Sequence, residues 1–429
     1  MVSLMKRTGL ATMGVAISLI AGGCAAPQQS SLPPATAAFS TAPAFPVATP
    51  TVVGTQAPWL ASLVPRLPAL SAPGWVREGV RISYYSAVAN VLSANERFIL
   101  DENGDWVGQT TGNHYRREEL YGAAGHGVTQ VDVLSVDPQA VALQVNSWQF
   151  SVYTGPLVPN GQAPWIGPAS GGDWYLHPTT LAGLANQRGG GITILRMPYT
   201  IQGVTYNAIR LQQQSDKATF ARMYDLETGR MLASSGAVTT QQGTLFSEAI
   251  FIGVRRMDLP WLGHTLPTWV TSGRTLTYKG TKSWEAIRAG TVLTANVSMR
   301  MRIDQVNPVA FSYKRTTTTT VAGYQGQSRS ENLAAGLGEP TSLALPPAAL
   351  AGLRTGRVID VDPVTKIRVT VTDTGRQGGR DVVVLQVRNQ GYSAKLTYDA
   401  DSGLMVGYND LVTSEETRQY ANLWLSSSG

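Results

Sequence analysis

The sequence is poor in three kinds of residue that usually carry chemistry or charge. Among its 429 residues there are one cysteine and four histidines, and only 14% of the residues are charged. A single cysteine excludes an internal disulfide framework. A chain with few charges and no basic cluster has no surface of the kind that follows a phosphate backbone. We therefore expect no nucleic-acid partner.

Motifs for metal binding and catalysis are also missing from the sequence. The histidines show no spacing such as His-Glu-x-x-His, and after residue 23 there is no Gly-x-Ser-x-Gly or Ser-x-x-Lys motif. The segment from Asp101 to Asp105 alternates oxygen ligands as a calcium loop does, but Trp106 and Gly112 stand where that motif needs Gly and Glu. We interpret this segment as a hairpin tip, and we expect neither a metal nor another cofactor.

The first 23 residues have the pattern of an export signal. Lys6 and Arg7 precede an apolar run from Leu10 to Ile20, and small residues then lead to Cys24. The run is too short to span a bilayer, so we assign residues 1–23 as a cleaved signal peptide. This leader resembles the lipobox of bacterial lipoproteins. The alternative is an ordinary secretory leader in which Cys24 happens to lie near the cleavage site.

The lipobox resemblance implies a membrane anchor. In that family the cysteine becomes the acylated N-terminus, so Cys24 would carry a fatty-acyl group such as palmitate and connect the protein to a membrane. Ala25 stands where a signal for retention at the inner membrane would place Asp. The resemblance therefore favours the periplasmic face of the outer membrane if the cell has one.

A segment without core-forming residues follows the leader. Residues 24–57 are mostly Ala, Pro, Ser and Thr and contain no charged residue, so they cannot build a packed core. A flexible chain of this length spans on the order of 30 Å. We predict a disordered tether between the anchor and the folded part.

The remaining sequence contains the same pattern twice. The first half has Tyr-Asp-x-x-x-Gly at 224–229 and the second half has it at 398–403, each time between two alternating runs. Other landmarks repeat in the same order at offsets of about 170 to 200 residues. They are Pro58-Trp59-Leu60 with Pro260-Trp261-Leu262, Trp75-Val76 with Trp269-Val270, Val136-Asp137-Pro138 with Val306-Asn307-Pro308, and the Leu-Ala-Gly-Leu segments at 181–184 and 350–353. The sequence therefore predicts an internal duplication.

Each repeat reads mostly as strand. Apolar and polar residues alternate in runs separated by turn residues, and each Leu-Ala-Gly-Leu segment follows a proline that suits a short helix. We predict a mainly β fold with two homologous curved antiparallel sheet units, each with a short helix. The first unit covers residues 58–259 and the second covers residues 260–429. We also expect Thr316 to Thr320 to form an edge strand.

The two repeats differ in length, and the difference indicates an insertion. Between the second Trp and the matched Pro the first repeat has 63 residues and the second has 39, so the first carries about 24 more. The surplus lies near residues 90–127 and holds His114 and His126 among several charged residues. An inserted loop of this kind suits recognition, although a solvated hairpin without a role is the simpler interpretation.

Four residues are candidates for ligand binding because they are not duplicated. Trp165 and Trp174 lie in a Pro- and Gly-rich segment, 161–174, which we predict to be a loop that presents aromatic rings. Trp106 and His126 lie in the insertion. The alternative is that the loop closes the end of a sheet and that these side chains are structural.

The sequence leaves three functions open. We expect a cell-envelope lipoprotein that binds an apolar or glycan-like ligand. The alternative is a structural or assembly component that binds another envelope protein through a sheet edge or the insertion. A carboxylate-dependent hydrolase ranks last. It stays open because paired carboxylates need only spatial closeness, which no sequence motif marks.

Overall fold

The computed structural model describes residues 60, 63–64, 67–91, 96–101, 104–117, 120, 125–150, 156–240, 243–324, 326–414 and 417–429. The predicted leader, the tether and Cys24 lie outside these ranges. Within them, strands dominate the chain and helices are short. No helix in the described ranges is both long and apolar enough to cross a membrane.

In the described ranges of the first part of the chain, thirteen strands and one helix can be given complete bounds. The strands are β1 (Val80–Val91), β2 (Phe98–Leu100), β3 (Trp106–Gly108), β4 (His114–Tyr115), β5 (Gly125–Val136), β6 (Ala140–Phe150), β7 (Leu157–Pro168), β8 (Gln187–Gly189), β9 (Ile192–Ile201), β10 (Val204–Gln214), β11 (Ala218–Asp225), β12 (Met231–Thr240) and β13 (Gly243–Arg256). Helix α1 (Pro178–Ala182) lies between β7 and β8.

The described residues of the second part form ten strands and one helix. The strands are β14 (Thr275–Ala286), β15 (Thr291–Val306), β16 (Ala310–Val321), β17 (Gln327–Gly336), β18 (Val358–Val361), β19 (Arg368–Gln377), β20 (Arg380–Arg388), β21 (Tyr392–Asp399), β22 (Met405–Thr413) and β23 (Thr417–Ser428). Helix α2 (Pro347–Ala351) lies between β17 and β18.

The two large sheets have the same strand order. The first sheet runs β7-β6-β5-β1-β13-β12-β11-β10-β9-β8, and the second runs β17-β16-β15-β14-β23-β22-β21-β20-β19-β18. Each is a ten-stranded antiparallel sheet in which the first and last strands of the unit, β1 with β13 and β14 with β23, lie side by side at the centre. The predicted fold class, two homologous antiparallel sheet units each with a short helix, is confirmed.

The repeated turns adopt the same backbone conformation. Gly229 and Gly403 have φ angles of 72° and 71°, which favour glycine over any residue with a Cβ. A Cβ atom at either position would lie 1.8 Å from a carbonyl oxygen, that of Leu176 or Leu345, at the approach to the helix. The turn glycines repeat because each one packs directly against the backbone that leads into its helix.

Side-chain hydrogen bonds are duplicated as well. Trp75 Nε1 donates to the carbonyl of Thr228 at 2.7 Å, and Trp269 Nε1 donates to the carbonyl of Ser402 at 2.7 Å. Four tyrosine hydroxyls also donate to backbone carbonyls in matching pairs: Tyr84 to Met231, Tyr278 to Met405, Tyr224 to Asp173, and Tyr398 to Ser342. The same side-chain hydrogen bonds are therefore formed at equivalent positions in the two cores.

The insertion forms a small sheet that covers one face of the first large sheet. Strands β2, β3 and β4 pair in that order, and the backbone N–H of Asp101 donates to the carbonyl of Asp105 at 2.9 Å at the end of the β2–β3 hairpin. This agrees with the predicted hairpin tip. Trp106 of the insertion is buried against Phe246 of β13, with ring centroids 5.5 Å apart.

Two local predictions were wrong. The segment 161–174 was predicted to be a loop, but residues up to Pro168 belong to edge strand β7, where prolines are tolerated because one side needs no hydrogen bonds. The threonine run at 316–320 was predicted to be an edge strand, but β16 lies between β15 and β17. Its hydroxyls pair across strands, as Thr318 does with Ser328 at 2.8 Å.

A buried ionic network joins the two units. Arg81 contacts both carboxylate oxygens of Asp132, at 2.6 and 2.7 Å, and reaches Asp362 of the second unit at 3.3 Å. Arg255 binds Asp360 at 2.6 Å and Asp362 at 3.1 Å. Arg81, Asp132 and Asp362 are almost fully buried. The two sheets therefore meet at buried arginine and aspartate side chains that neutralise one another's charge.

Candidate functional site

The candidate site lies on the polar face of the second sheet. Side chains alternate along β14, so Leu276 and Tyr278 point into the apolar core while Lys279 and Thr281 lie on the opposite, exposed face. The same alternation in β15 and β16 places amide and hydroxyl groups beside them. This face thus presents hydrogen-bonding groups from three adjacent strands.

A cleft of about 490 Å³ opens on this face. Its volume falls within the range of small-molecule sites, roughly 300 to 1,000 Å³. The polar side chains that line it are Lys279, Thr281, Asn296, Ser298, Thr318 and Thr320. Among the described residues that line the cleft, Lys279 is the one ionisable group, so they offer mainly neutral donors and acceptors.

Two exposed aromatic residues continue the same face onto β23. Trp424 lies directly opposite Lys279 in the sheet register, and Tyr420 lies opposite Ser283. Each is 44% exposed. Four residues of extended strand separate the two rings by about 13 Å along β23. Together they form an aromatic strip beside the cleft.

Gly407 of β22 sets the position of the Trp424 ring. A Cβ atom at Gly407 would lie 2.6 Å from the indole, so the ring rests directly on the backbone of the neighbouring strand. This contact holds the indole against the sheet and leaves its other side to solvent. Because the ring is already fixed, stacking on a ligand would cost little side-chain conformational entropy.

The insertion covers the equivalent face of the first unit. The strand registers place Phe246 at the position of Tyr420 and Ile250 at the position of Trp424. Phe246 is completely buried beneath Phe98 and Trp106 of the insertion. The face that the first unit covers with its own polypeptide is therefore open in the second unit.

Polar pairs continue this face beyond the cleft. The exposed ion pair of Arg418 and Glu285, at 3.2 Å, lies on the same face beyond Tyr420. Ser283 and Thr294 share a hydrogen bond of 2.9 Å between hydroxyl groups. In the described ranges, no group of three or more His, Cys, Asp or Glu residues is arranged to hold a metal ion.

The structure places the four sequence-predicted candidates in the first unit and does not bring them into one site. Trp106 and Trp174 are buried, and Trp174 packs against Tyr84 with ring centroids 5.4 Å apart. Trp165 is half-buried and packs against Tyr175 at 6.3 Å. The two buried rings present no open surface to a ligand. The predicted binding role of these residues stays a prediction.

His126 has a partner within the first unit. Its Nδ1 shares a hydrogen bond with the hydroxyl of Tyr85, and the two rings lie 5.6 Å apart. Burial raises the pKa of that tyrosine, and Glu248 raises it further. His126 occupies the position that Asn296 holds in the second unit. The histidine therefore lies at the covered counterpart of the cleft.

Sequence reasoning missed the residues of the cleft itself. Trp424 is one of the unduplicated tryptophans, and the threonine run at 316–320 is visible in the sequence. The missing information was the pairing of β23 with β14, which joins residues about 145 positions apart. One signal could have found the site: a tryptophan in the second repeat aligns with an isoleucine in the first.

Comparison with known proteins identifies no family. No protein-family model and no curated protein matches the chain. A candidate outer membrane protein from Bacteroides fragilis aligns at 8% identity over 81% of this chain and 96% of that chain, with a TM-score of 0.12. A DUF3598-family protein of unknown function from Nostoc punctiforme aligns at 10% identity over 82% and 96%, with a TM-score of 0.14.

A third solved structure, intact Ap-TbpB with its N and C lobes, aligns at 9% identity over 83% of this chain and 79% of that chain, with a TM-score of 0.11. TM-scores this low show no common overall arrangement. These similarities support no argument about what the chain binds, so its function has to be inferred from its own residues.

Proposed function

We propose that this protein is an exported, lipid-anchored binding protein of the cell envelope that holds a glycan in the cleft of the second unit. The observation that supports the ligand class is the combination of a neutral hydroxyl and amide lining with the exposed ring of Trp424. Sugar rings present hydroxyl groups at their edges and C–H groups on their faces. A polar cleft beside a fixed aromatic ring complements both.

An apolar ligand fits the structure less well. The interior between the second sheet and α2 is filled by a continuous cluster of buried side chains that includes Leu350, Leu385 and Tyr398. The cleft lies on the opposite face, and threonine, serine and asparagine dominate its lining. Burying an acyl chain against these groups would leave their hydrogen bonds unmade.

The anchor belongs to the same proposal. Acylation of Cys24 would hold the chain at a membrane, and the tether of residues 24–57 would let the folded part extend on the order of 30 Å from it. Mass spectrometry of the protein purified from membranes tests this part. We expect an acylated N-terminal cysteine and a loss of membrane association in Cys24→Ser. An unmodified Cys24 in the mature chain would contradict it.

Titration of the full-length protein with neutral oligosaccharides by isothermal calorimetry tests the glycan site. Losing an aromatic stacking contact costs about 0.5–1.5 kcal/mol, so Trp424→Ala should weaken binding by about two- to tenfold. Tyr324→Ala is the matched control, because Tyr324 is 73% exposed in the turn that follows β16 and lies outside the cleft lining. Equal weakening by both variants would contradict the assignment.

A protein partner on the same face is the second candidate function. The observation that favours it is the insertion, which shows that polypeptide can cover this face in the first unit. A photo-crosslinking amino acid in place of Tyr420 would distinguish the two functions in cells. A discrete protein adduct at this position supports assembly, whereas oligosaccharide that prevents cross-linking supports the glycan site.

A further inference from the structure

The polar face of the second sheet carries four cations beside the cleft. They come from β14, β15 and β16, and we call them the outer basic patch: Lys279, Arg300, Arg302 and Lys314. All four residues are exposed, whereas Met299, Met301 and Tyr313, which alternate with them along the strands, lie in the core. Lys279 also lines the cleft, so the patch and the cleft are continuous.

The strand registers place the four cations close together. Arg302 lies directly opposite Lys314, where Cβ atoms are about 4.5–5.5 Å apart. Arg300 precedes Arg302 by two positions, or about 7 Å along β15. Lys279 lies diagonally across from Arg300, whose direct partner on β14 is Thr277, and such diagonal neighbours are about 7–8 Å apart. No run of basic residues marks the patch in the sequence, because three separate strands contribute to it.

Among the described residues, one carboxylate contacts the outer basic patch. Arg302 Nε lies 4.0 Å from Asp304 Oδ1, and the two side chains are 65% and 41% exposed. In the part of the chain that the structure describes, Lys279, Arg300 and Lys314 form no ion pair. The residues that flank the cations across the strands are neutral: Thr275, Thr277, Thr316 and Asn332. Four cations therefore accompany one carboxylate, and like charges placed opposite each other in a sheet are destabilising.

The outer basic patch has no counterpart in the first unit. The strand registers place four residues without positive charge at the equivalent positions: Tyr85, Gln130, Asp132 and Gln144. Gln130 and Gln144 are 0% and 1% exposed, and Asp132 belongs to the ionic network that joins the two units. The fold therefore needs no cations at these positions. They belong to the second unit, where the same face is open to solvent.

The continuity of the patch with the cleft indicates the kind of anion that fits it. Trp424 lies opposite Lys279, and Lys314 lies three strands away from Trp424, about 14 Å across the sheet. Thr316 and Ser330 present hydroxyl groups between these points, 2.9 Å from each other. A small anion would contact only part of this surface, and a flat membrane would not enter the cleft. An extended chain with repeated acidic groups can contact both the cations and the cleft.

We propose that the glycan bound by the second unit is an acidic polysaccharide, with sugar rings in the cleft against Trp424 and carboxylates on the outer basic patch. Arginine donates two hydrogen bonds to one carboxylate, and lysine provides a compact positive charge. This inference rests on the proposed glycan-binding function and specifies the charge of the ligand.

Calorimetric titration of the full-length protein with matched neutral and acidic tetrasaccharides tests the proposal. The probes are cellotetraose and mannotetraose, each compared with the same chain oxidised at C6 to carboxylates. We expect at least one acidic chain to bind about tenfold or more tightly than its neutral form at low ionic strength, because several exposed ion pairs contribute. This preference should largely disappear at 1 M salt, where the screening length is about 3 Å.

Two substitutions separate the charge of the patch from the shape of the cleft. Arg300→Gln and Lys314→Met should each weaken binding of the acidic chain by about two- to fivefold and leave the neutral form unaffected. The double variant should remove most of the preference. Trp424→Ala should weaken both forms, because the ring stacks on sugar rather than on charge.

Arg376→Gln is the matched control. Arg376 is an exposed arginine of β19, five strands from β14, so its substitution removes the same charge far from the patch. This variant should bind both forms like the unchanged protein. Equal weakening by Arg376→Gln and Arg300→Gln would overturn the proposal, because it would show an effect of net charge alone.

The remaining outcomes distinguish this inference from the proposed function. Equal binding of neutral and acidic chains, or a preference that survives the double variant, would overturn the inference and leave the glycan function intact. Binding of no chain would contradict the glycan function itself and the inference with it. Binding to vesicles of phosphatidylglycerol and phosphatidylcholine that requires Arg300 and Lys314, without a preference for acidic chains, would assign the patch to a membrane surface instead.

Discussion

Replacing Arg81 by methionine should destabilise the contact between the two units. Arg81 neutralises Asp132 of its own sheet and reaches Asp362 of the other, and these carboxylates are 1% and 0% exposed. After Arg81→Met, the described residues leave Asp132 a 3.2 Å side-chain hydrogen bond from Asn146 and the more distant charge of Arg255. Asp362 keeps Arg255, which is one-quarter exposed.

Removing one partner of a buried ion pair costs about 3–5 kcal/mol, because the other charge stays buried without compensation. We expect about 3 kcal/mol for Arg81→Met at neutral pH, since Arg255 still neutralises Asp362. The loss should shrink in acid. Burial already raises the pKa of Asp132 in the intact protein although Arg81 lowers it, and losing Arg81 raises it further. The folded variant therefore takes up a proton there and recovers stability as the pH falls.

Urea unfolding monitored by tryptophan fluorescence measures this effect. Arg302→Met is the matched control, because Arg302 occupies the position of Asp132 in the second unit, is 65% exposed and lies 4.0 Å from Asp304. The control should change the free energy of unfolding by no more than about 0.5 kcal/mol. Equal effects of the two substitutions, or a loss for Arg81→Met that grows in acid, would refute the reasoning.

Three further predictions concern the turns, the pH dependence and the insertion. Gly403→Ala should lower the melting temperature more than Gly263→Ala. Both glycines have a positive φ, which strains a residue with a Cβ, but only at Gly403 would the Cβ also collide with a backbone carbonyl. Backbone strain and collision together should destabilise the Gly403→Ala protein by more than about 2 kcal/mol. Burial raises the pKa of Asp362, but Arg81 and Thr365 outweigh burial and lower it to about 2. Its contribution to stability should therefore be complete above about pH 4 and be lost toward pH 2 in urea titrations, and Asp362→Asn should flatten this dependence. Trp106→Ala should loosen the insertion by about 3–5 kcal/mol, and limited proteolysis should then cut within residues 96–117 first.

The duplication could be predicted from sequence because the repeated residues make contacts that any copy of the fold needs. Gly229 and Gly403 approach a backbone carbonyl, and Trp75 and Trp269 donate to the turn that precedes each glycine. These contacts are short-range in space and use residue types that few others can replace. The sequence therefore shows them twice.

The candidate site could not be predicted in the same way. Trp424 and Lys279 are neighbours only because the last strand of the unit returns to pair with the first, and local propensity does not encode that closure. The openness of the face depends on the absence of an insertion at the equivalent place in the second repeat. Sequence reasoning instead favoured Trp174, whose ring packs in the first unit's core, and Trp106, whose ring is buried between the insertion and the outer face of that sheet.

The pairing of the first strand with the last strand in each sheet has a consequence for how such a protein can acquire further repeats. Since β1 adjoins β13 and β14 adjoins β23, the polypeptide leaves each unit beside the point where it entered. A further copy could be appended without changing the path of the chain through the existing units. The same geometry makes each unit a natural subject for circular permutation, with new ends opened at any exposed hairpin.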